Sequence, residues 1–476
     1  MNRRELLKSL GALGIGLPFA NTSLGLPLLD YPAIKSSDFG DDFIWGVATA
    51  SYQIEGAVSK DGREPSIWDT FSEKKGKIKT GETGAVACDF YNRYPKDIEL
   101  VKKMNFDVFR FSLAWSRILP NGTGKINQKG IDFYHRIIDS CLENNVQPWI
   151  TLYHWDLPQA LEDKGGWKNR DIIDWFGEYS DLCTRKFGDK VKNWMILNEP
   201  VAFTVLGYLL GIHAPGKRGF RNLYPTIHHT AMCQSEGGRI VRQNVKDANV
   251  GTTFSCSSVH AYRDKKKDSI TSAKLDALLN RLYIEPCLGM GYPTDGWKLL
   301  ENVSKYIKDG DMEKLSFDFD FIGLQNYTRV MAKHSPFIPF LWGSQVHPKK
   351  RNVEMTEMEW EVYPKGIYEM IKKFKSYDGV DKIIITENGC AYKDEVSNGV
   401  IDDQKRIKFY REYLEQVLKA KQEGANIAGY FCWSLLDNFE WAEGYRPRFG
   451  LVHVNYENQT RTIKNSGYWF SEFLSK

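Results

Sequence analysis

Two carboxylates stand where a carboxylate is out of place. Residues 382–390 read KIIITENGC, so three isoleucines in a row run straight into Glu387. Residues 193–200 read NWMILNEP, and a second apolar run ends on Glu199. Burying a charge is costly unless it is paired, and a strand that merely ended would more often turn on Gly, Asn or Asp. Two such groups facing each other can break a glycosidic bond. One protonates the leaving oxygen and then deprotonates water; the other attacks the anomeric carbon and forms a covalent intermediate. These tasks need opposite ionisation. Glu199, as the acid/base, must hold its proton near neutrality, which apolar surroundings or a nearby negative charge would achieve. Glu387, as the nucleophile, must stay charged, so a cation and hydrogen-bond donors should lower its pKa. Arg110, set inside the apolar run VFRFS, is the candidate cation, its other reading being a structural ion pair; Tyr327 is a candidate donor. A carboxyl separation of about 5–5.5 Å would signal retention of anomeric configuration.

The elements that must carry these residues alternate along the chain. Eight short apolar, β-branched or aromatic runs read as strands: 43–50, 108–115, 147–155, 193–199, 249–257, 321–328, 382–389 and 427–435. Several are nearly continuous, as in parallel strands covered on both sides. Helical periods lie between them. In 129–145 the stripe is Ile131, Tyr134, Ile137, Ile138, Cys141 and Leu142; in 402–424 it is Ile407, Tyr410, Tyr413, Leu414, Val417 and Leu418, with Gly424 suited to the helix end. The alternation predicts a single (β/α)₈ TIM barrel over residues 38–476, with long βα loops at its C-terminal face. Long connections follow the first, fourth and sixth strands, and the stretch 334–360 reads as an irregular, aromatic rim. Chemistry in such a barrel sits at the strands' carboxyl ends. Those ends carry Gln53, His154, Trp155, Asn198, Asn326, Trp433, Glu440 and Trp441 as well as the two glutamates. Stability alone does not call for amide, imidazole, carboxylate and indole groups at nearly every strand end.

Composition narrows the alternatives. A net charge of +4 on 476 residues is close to balance, and no basic tract interleaves with aromatics, so nucleic acid is an unsuited partner. Aromatic residues make up 13%, with 14 Trp and 24 Tyr, enough to supply stacking platforms for sugar rings as well as a core. The eight cysteines form no CxxC pair or His/Cys cluster, which leaves buried thiols, with one disulfide still open, and gives a metal site no support. No organic cofactor is called for. GIHAPGKR (211–218) nearly fits a phosphate-binding loop, but Arg218 stands where Ser or Thr must hold magnesium. The first residues, MNRRELLKSLGALGIGLPFA, have a basic head and a Gly- and Leu-rich stretch too short to span a bilayer. They resemble a twin-arginine export signal, so residues 1–37 read as signal and linker and the expected location is periplasmic, the alternative being cytoplasmic.

The ordered blocks FIWGVATASYQIEGA (43–57), RFSLAWSRILP (110–120), LYHWDLPQAL (152–161), WMILNEP (194–200), LQNYT (324–328), ITENG (385–389) and CWSLLDNFEWAEGYRPRFGLVHVNY (432–456) resemble glycoside hydrolase family 1, the β-glucosidase family. The resemblance implies Glu199 as acid/base and Glu387 as nucleophile, with Arg110, Tyr327 and Asn326 in support. It implies that Gln53, His154, Trp155, Asn198, Glu440, Trp441 and Phe449 bind the terminal sugar and that Trp433 forms the floor under its ring. It implies a retaining exo-β-glycosidase, acting on a β-glucoside or β-linked oligosaccharide; a transglycosidase using the same pair, or a non-catalytic sugar-binding barrel, are the alternatives. Plant thioglucosidases of the family carry Gln at the acid/base position, where Glu199 is intact. Relatives that take 6-phosphoglycosides use a Ser/Lys/Tyr set near Glu440, and residues 437–445 offer no Lys. Two departures stand out: Ile196 where the family often has Thr, and Ile463 in RTIKNS (461–466) in place of Pro. Both bear on packing.

Overall fold

A closed parallel barrel organises the computed structural model, which describes residues 34–338 and 341–475. Its strands are β1 (Ile44–Ala48), β2 (Val108–Ser112), β3 (Gln147–Tyr153), β4 (Asn193–Asn198), β5 (Asn249–Ser255), β6 (Phe321–Gln325), β7 (Ile383–Asn388) and β8 (Ile427–Trp433). Each pairs in parallel with its sequence neighbours, and β8 closes on β1. The expected strands are all present, somewhat shortened where their ends leave the ladder for the loops. The principal helices are α1 (Phe90–Lys103), α2 (Gln128–Glu143), α3 (Ile172–Phe187), α4 (Phe220–Asn244), α5 (Lys266–Asp276), α6 (Lys365–Lys375), α7 (Gln404–Gln422) and α8 (Asn465–Phe473). The expected export signal lies outside the described residues.

Alternation along the strands stacks the barrel interior in layers. Val108, Trp149, Met195, Phe321, Ile384 and Phe431 form an apolar plug. β1 and β5 contribute Gly46 and Gly251 at this level, because the rings of Phe431 and Phe321 already fill their space. A Cβ would come within 2.7 Å of the first ring and 2.3 Å of the second. Two residues further along β2, the same inward face carries Arg110. The plug is therefore the apolar floor beneath a polar layer.

Some expectations need correction. Leu142 is exposed, since it sits one residue beyond the buried face of α2, and Ile407 is only partly covered while Arg406 and Phe409 are buried. The connection after β5 is also long: residues 256–320 hold α5 and the shorter helices Ile284–Cys287 and Asp311–Leu315. The stretch 334–360 is not wholly irregular. Arg329–His334 pairs in parallel with Ser258–Ala261 and antiparallel with Gly343–Gln345, forming a three-stranded side sheet. Its segments come from two different loops, so no local period announces it. All eight cysteines are buried and free, which closes the question of a disulfide.

Candidate active site

The polar layer is built around one guanidinium. Arg110 is fully buried. Its Nε donates to Thr151 Oγ1 at 3.0 Å, Nη1 to the Thr386 carbonyl at 3.1 Å and to Glu387 Oε1 at 2.6 Å, and Nη2 to Asn198 Oδ1 at 2.5 Å. One side chain of β2 thus fixes β3, β4 and β7. The planar fork of Arg suits such a role, where the point charge of Lys does not. Glu387 is the penultimate residue of β7, just past a register shift against β6 and within one against β8; bulges of this kind re-aim a side chain. Its Oε2 accepts the Tyr327 hydroxyl at 2.7 Å.

Glu199 follows β4, which also shifts register against β5 between Met195 and Asn198. The residue is left-handed, with φ +46°, and its N–H donates to the Thr253 carbonyl at 3.0 Å. Trp155 (φ +81°) and Trp441 (φ +50°) share that backbone region. For residues of this size it costs about 1–3 kcal/mol each and is found where surrounding structure holds a site in shape.

Burial raises the Glu199 carboxyl to about 8, and the neighbouring Glu387 charge adds to the shift. The group holds its proton at neutrality. Glu387 departs from expectation: burial leaves its carboxyl above the ordinary value, although Arg110, Tyr327 and Gln325 all pull it down. The donors offset desolvation without overturning it. The two carboxyls are still distinguished, because the guanidinium pairs with Glu387. A third buried carboxylate, Glu440, is also pushed up to about 8, first by burial and then by Glu387.

The remaining residues surround these carboxylates. Gln53 Nε2 donates to Asn438 Oδ1 at 2.9 Å, the Phe439 carbonyl at 3.0 Å and Glu440 Oε2 at 3.3 Å, while its Oε1 is buried with no protein partner. His154 is neutral, its pKa driven down by burial and then by Arg110. Its Nε2 meets the Asn198 amide at 2.9 Å, and Nδ1 is buried without a partner. Trp155 donates to the Asn198 carbonyl at 2.8 Å, and its ring lies 4.7 Å from that of Trp441. His154 lies 5.8 Å from Trp433, centroid to centroid. Phe449 lies 6.2 Å from Tyr327.

Asn326 stands apart from Glu387. Its amide donates to the Cys256 and Thr328 carbonyls, and it reaches β7 only through its own carbonyl, which accepts from Asn388. The neighbour Gln325 is one residue that sequence reasoning missed. Fully buried, it donates to Asn198 Oδ1 at 2.8 Å and helps hold Glu387. Counting in twos from the inward Gly323 would have found it. Ser255, which hydrogen-bonds Glu199, and Trp360, 5.4 Å from Tyr327, were missed as well. The near-match to a phosphate loop resolves differently: Lys217 pairs with Glu162, which Tyr208 also bonds, so the lysine ties two loops together. Among the described residues, no group of three or more His, Cys, Asp or Glu could hold a metal ion, and no helix is long and apolar enough to cross a membrane.

Glycoside cleavage is the reaction that asks a barrel for this division of labour between two carboxyls, and the chain is a glycoside hydrolase. The model of Glycosyl hydrolase family 1 matches residues 35–476, and the chain belongs to that family. It is 46% identical over 442 residues to a 1,4-beta-D-glucan glucohydrolase of Thermotoga neapolitana, covering 92% of this chain and 98% of that one. The solved family 1 b-glucosidase from Thermotoga maritima superposes with a TM-score of 0.87 at 44% identity, over 91% of this chain and 97% of that one. The beta-glucosidase from the same organism in complex with glucoimidazole gives 0.86 at 44% identity, over the same shares.

Proposed function

We propose that the protein is a retaining exo-β-glucosidase that releases terminal β-D-glucose from oligosaccharides or from aryl and alkyl glucosides. The observation that carries this reading is the clamp of Arg110 and Tyr327 on Glu387, beside a Glu199 that keeps its proton. Glu387 Oε attacks the anomeric carbon as Glu199 gives its proton to the departing oxygen; the C–O bond to the aglycone breaks and a glycosyl ester forms. Glu199, now a carboxylate, takes a proton from water, whose oxygen displaces Glu387 and restores the β-anomer. The unpartnered Gln53 Oε1 and His154 Nδ1 are buried polar atoms of the kind a sugar hydroxyl satisfies. Asn198 would lie against the 2-hydroxyl and Trp433 under the ring's C–H face. Glu440 in place of a cation favours a plain sugar over a phosphorylated one.

Hydrolysis of an aryl β-glucoside followed by NMR tests the reading: the β-anomer of glucose should form first. The α-anomer first would refute retention, and no turnover would leave only a binding barrel. Excess alcohol as acceptor separates a transglycosidase, in which transfer outruns hydrolysis. The twin-arginine-like start supports export to the periplasm, which cell fractionation with and without Arg3→Lys/Arg4→Lys tests.

A further inference from the structure

The block RTIKNS (461–466), which the chemistry of the pocket leaves unused, contains a fully buried lysine. Lys464 Nζ donates to Asp394 Oδ2 at 2.5 Å and to Asp437 Oδ1 at 2.7 Å. Asp394 lies in the loop after β7, beyond Glu387. Asp437 lies in the loop after β8, just ahead of Glu440. Arg406 of α7 completes the connection. It bonds Asp394 Oδ1 at 3.2 Å, pairs with Asp403, and donates to the carbonyls of Cys390 at 3.3 Å and Arg448 at 2.7 Å. Arg448 in turn donates to Asp437 Oδ2 at 2.9 Å. Three cations and three carboxylates balance in a cluster where only Arg448 shows appreciable exposure, 22% of its side chain.

The cluster reaches the pocket by two routes. Through the Cys390 carbonyl it holds the chain that follows Glu387. Through Asp437 it holds Asn438, whose Oδ1 accepts from Gln53, and Gln53 also contacts Glu440. Apolar side chains could fill this space at equal or better stability. Directional ion pairs do something else: they fix the register of one loop against the other.

We infer that Lys464 and Arg448 are positioning residues: by bracing the loop after β7 against the loop after β8, they set the distance between the nucleophile and the side chains that hold the sugar. The inference rests on the glucosidase reading and deepens it.

The test uses Lys464→Met, Arg448→Gln and Arg448→Lys, with kcat/KM for 4-nitrophenyl β-glucoside and β-galactoside measured well below each variant's Tm. The two substrates differ only in the orientation of the C4 hydroxyl. In Lys464→Met and Arg448→Gln the glucoside-to-galactoside ratio should move toward unity by about fivefold, within the range that pocket contacts discriminate. Arg448→Lys should restore it. Should Lys464→Met fail to fold, the partly exposed Arg448 position decides. A purely structural role lowers both rates together, and an unchanged ratio overturns the inference. Wild-type protein inactive on both glycosides would instead overturn the glucosidase reading.

Discussion

At the scale of single residues, the decisive feature is that Arg110 touches one glutamate and not the other. Glu387→Gly should abolish hydrolysis, and added azide should yield glycosyl azide of inverted configuration, since azide would enter from the vacated side. Azide product of retained configuration would exclude the nucleophile role. Glu199→Ala should spare the first step for substrates with good leaving groups and suppress it for poor ones; an unchanged rate with a poor leaving group would exclude the acid role. Because the Glu199 carboxyl titrates at about 8, turnover of a poor leaving group should fall as pH rises through that value. A pH–rate profile of Glu199→Gln on an activated glycoside should lack that limb. Arg110 was legible in the sequence because a charge inside VFRFS has nowhere to go but inward. Gln325 was not, because LQNYT runs four polar groups together and only the barrel's register shows that Gln325, as well as Tyr327, faces the carboxylates.

At the scale of elements, the strands were legible because a parallel barrel buries both faces and leaves long apolar runs. The side sheet at Ser258–Ala261, Arg329–His334 and Gly343–Gln345 was not, since its pairing is long-range. The two residues that depart from the family pattern each face a glycine. A Cβ on Gly237 of α4 would lie 2.6 Å from Ile196 Cγ2, and one on Gly467 of α8 would lie 2.7 Å from Ile463 Cγ2. Bulk on the strand side is matched by its absence on the helix. Gly237→Ala should therefore overpack the β4–α4 contact and cost about 1–3 kcal/mol. Combined with Ile196→Ala, the loss should be smaller than the sum of the single losses by at least about 0.5 kcal/mol. Urea unfolding of the four proteins measures this; strict additivity would show that the two residues do not share the space.

At the scale of the whole molecule, the pocket that permits chemistry opposes stability in a definite pH window. Glu199 and Glu440 each titrate near 8 in the folded chain, against 4.5 for a free glutamate side chain. A raised carboxyl means that the folded state binds more protons than the unfolded state between those values. Stability from these groups is therefore full below about 4.5 and lost as pH rises through 8. Groups of opposite sign act at the acid end. Burial raises Asp437, but Lys464 and Arg448 more than undo it and leave it below its usual value, so its contribution is lost on acidification. Burial likewise holds His154, His213 and His229 below the ordinary imidazole value, so their contribution is also lost on acidification, and the protein should be most stable in the weakly acidic range, between the acid and alkaline penalties. Thermal unfolding followed by circular dichroism should give a lower Tm at pH 8.5 than at pH 5.5, reflecting a loss of a few kcal/mol. The double variant Glu199→Gln/Glu440→Gln, which keeps the shape of both side chains and removes both titrations, should lose less over the same interval, the remaining decline coming from Asp156 and Glu387, whose carboxyls burial also raises. An equal decline in both proteins would place the pH dependence elsewhere and remove the argument that the pocket's own desolvation sets the proton on Glu199.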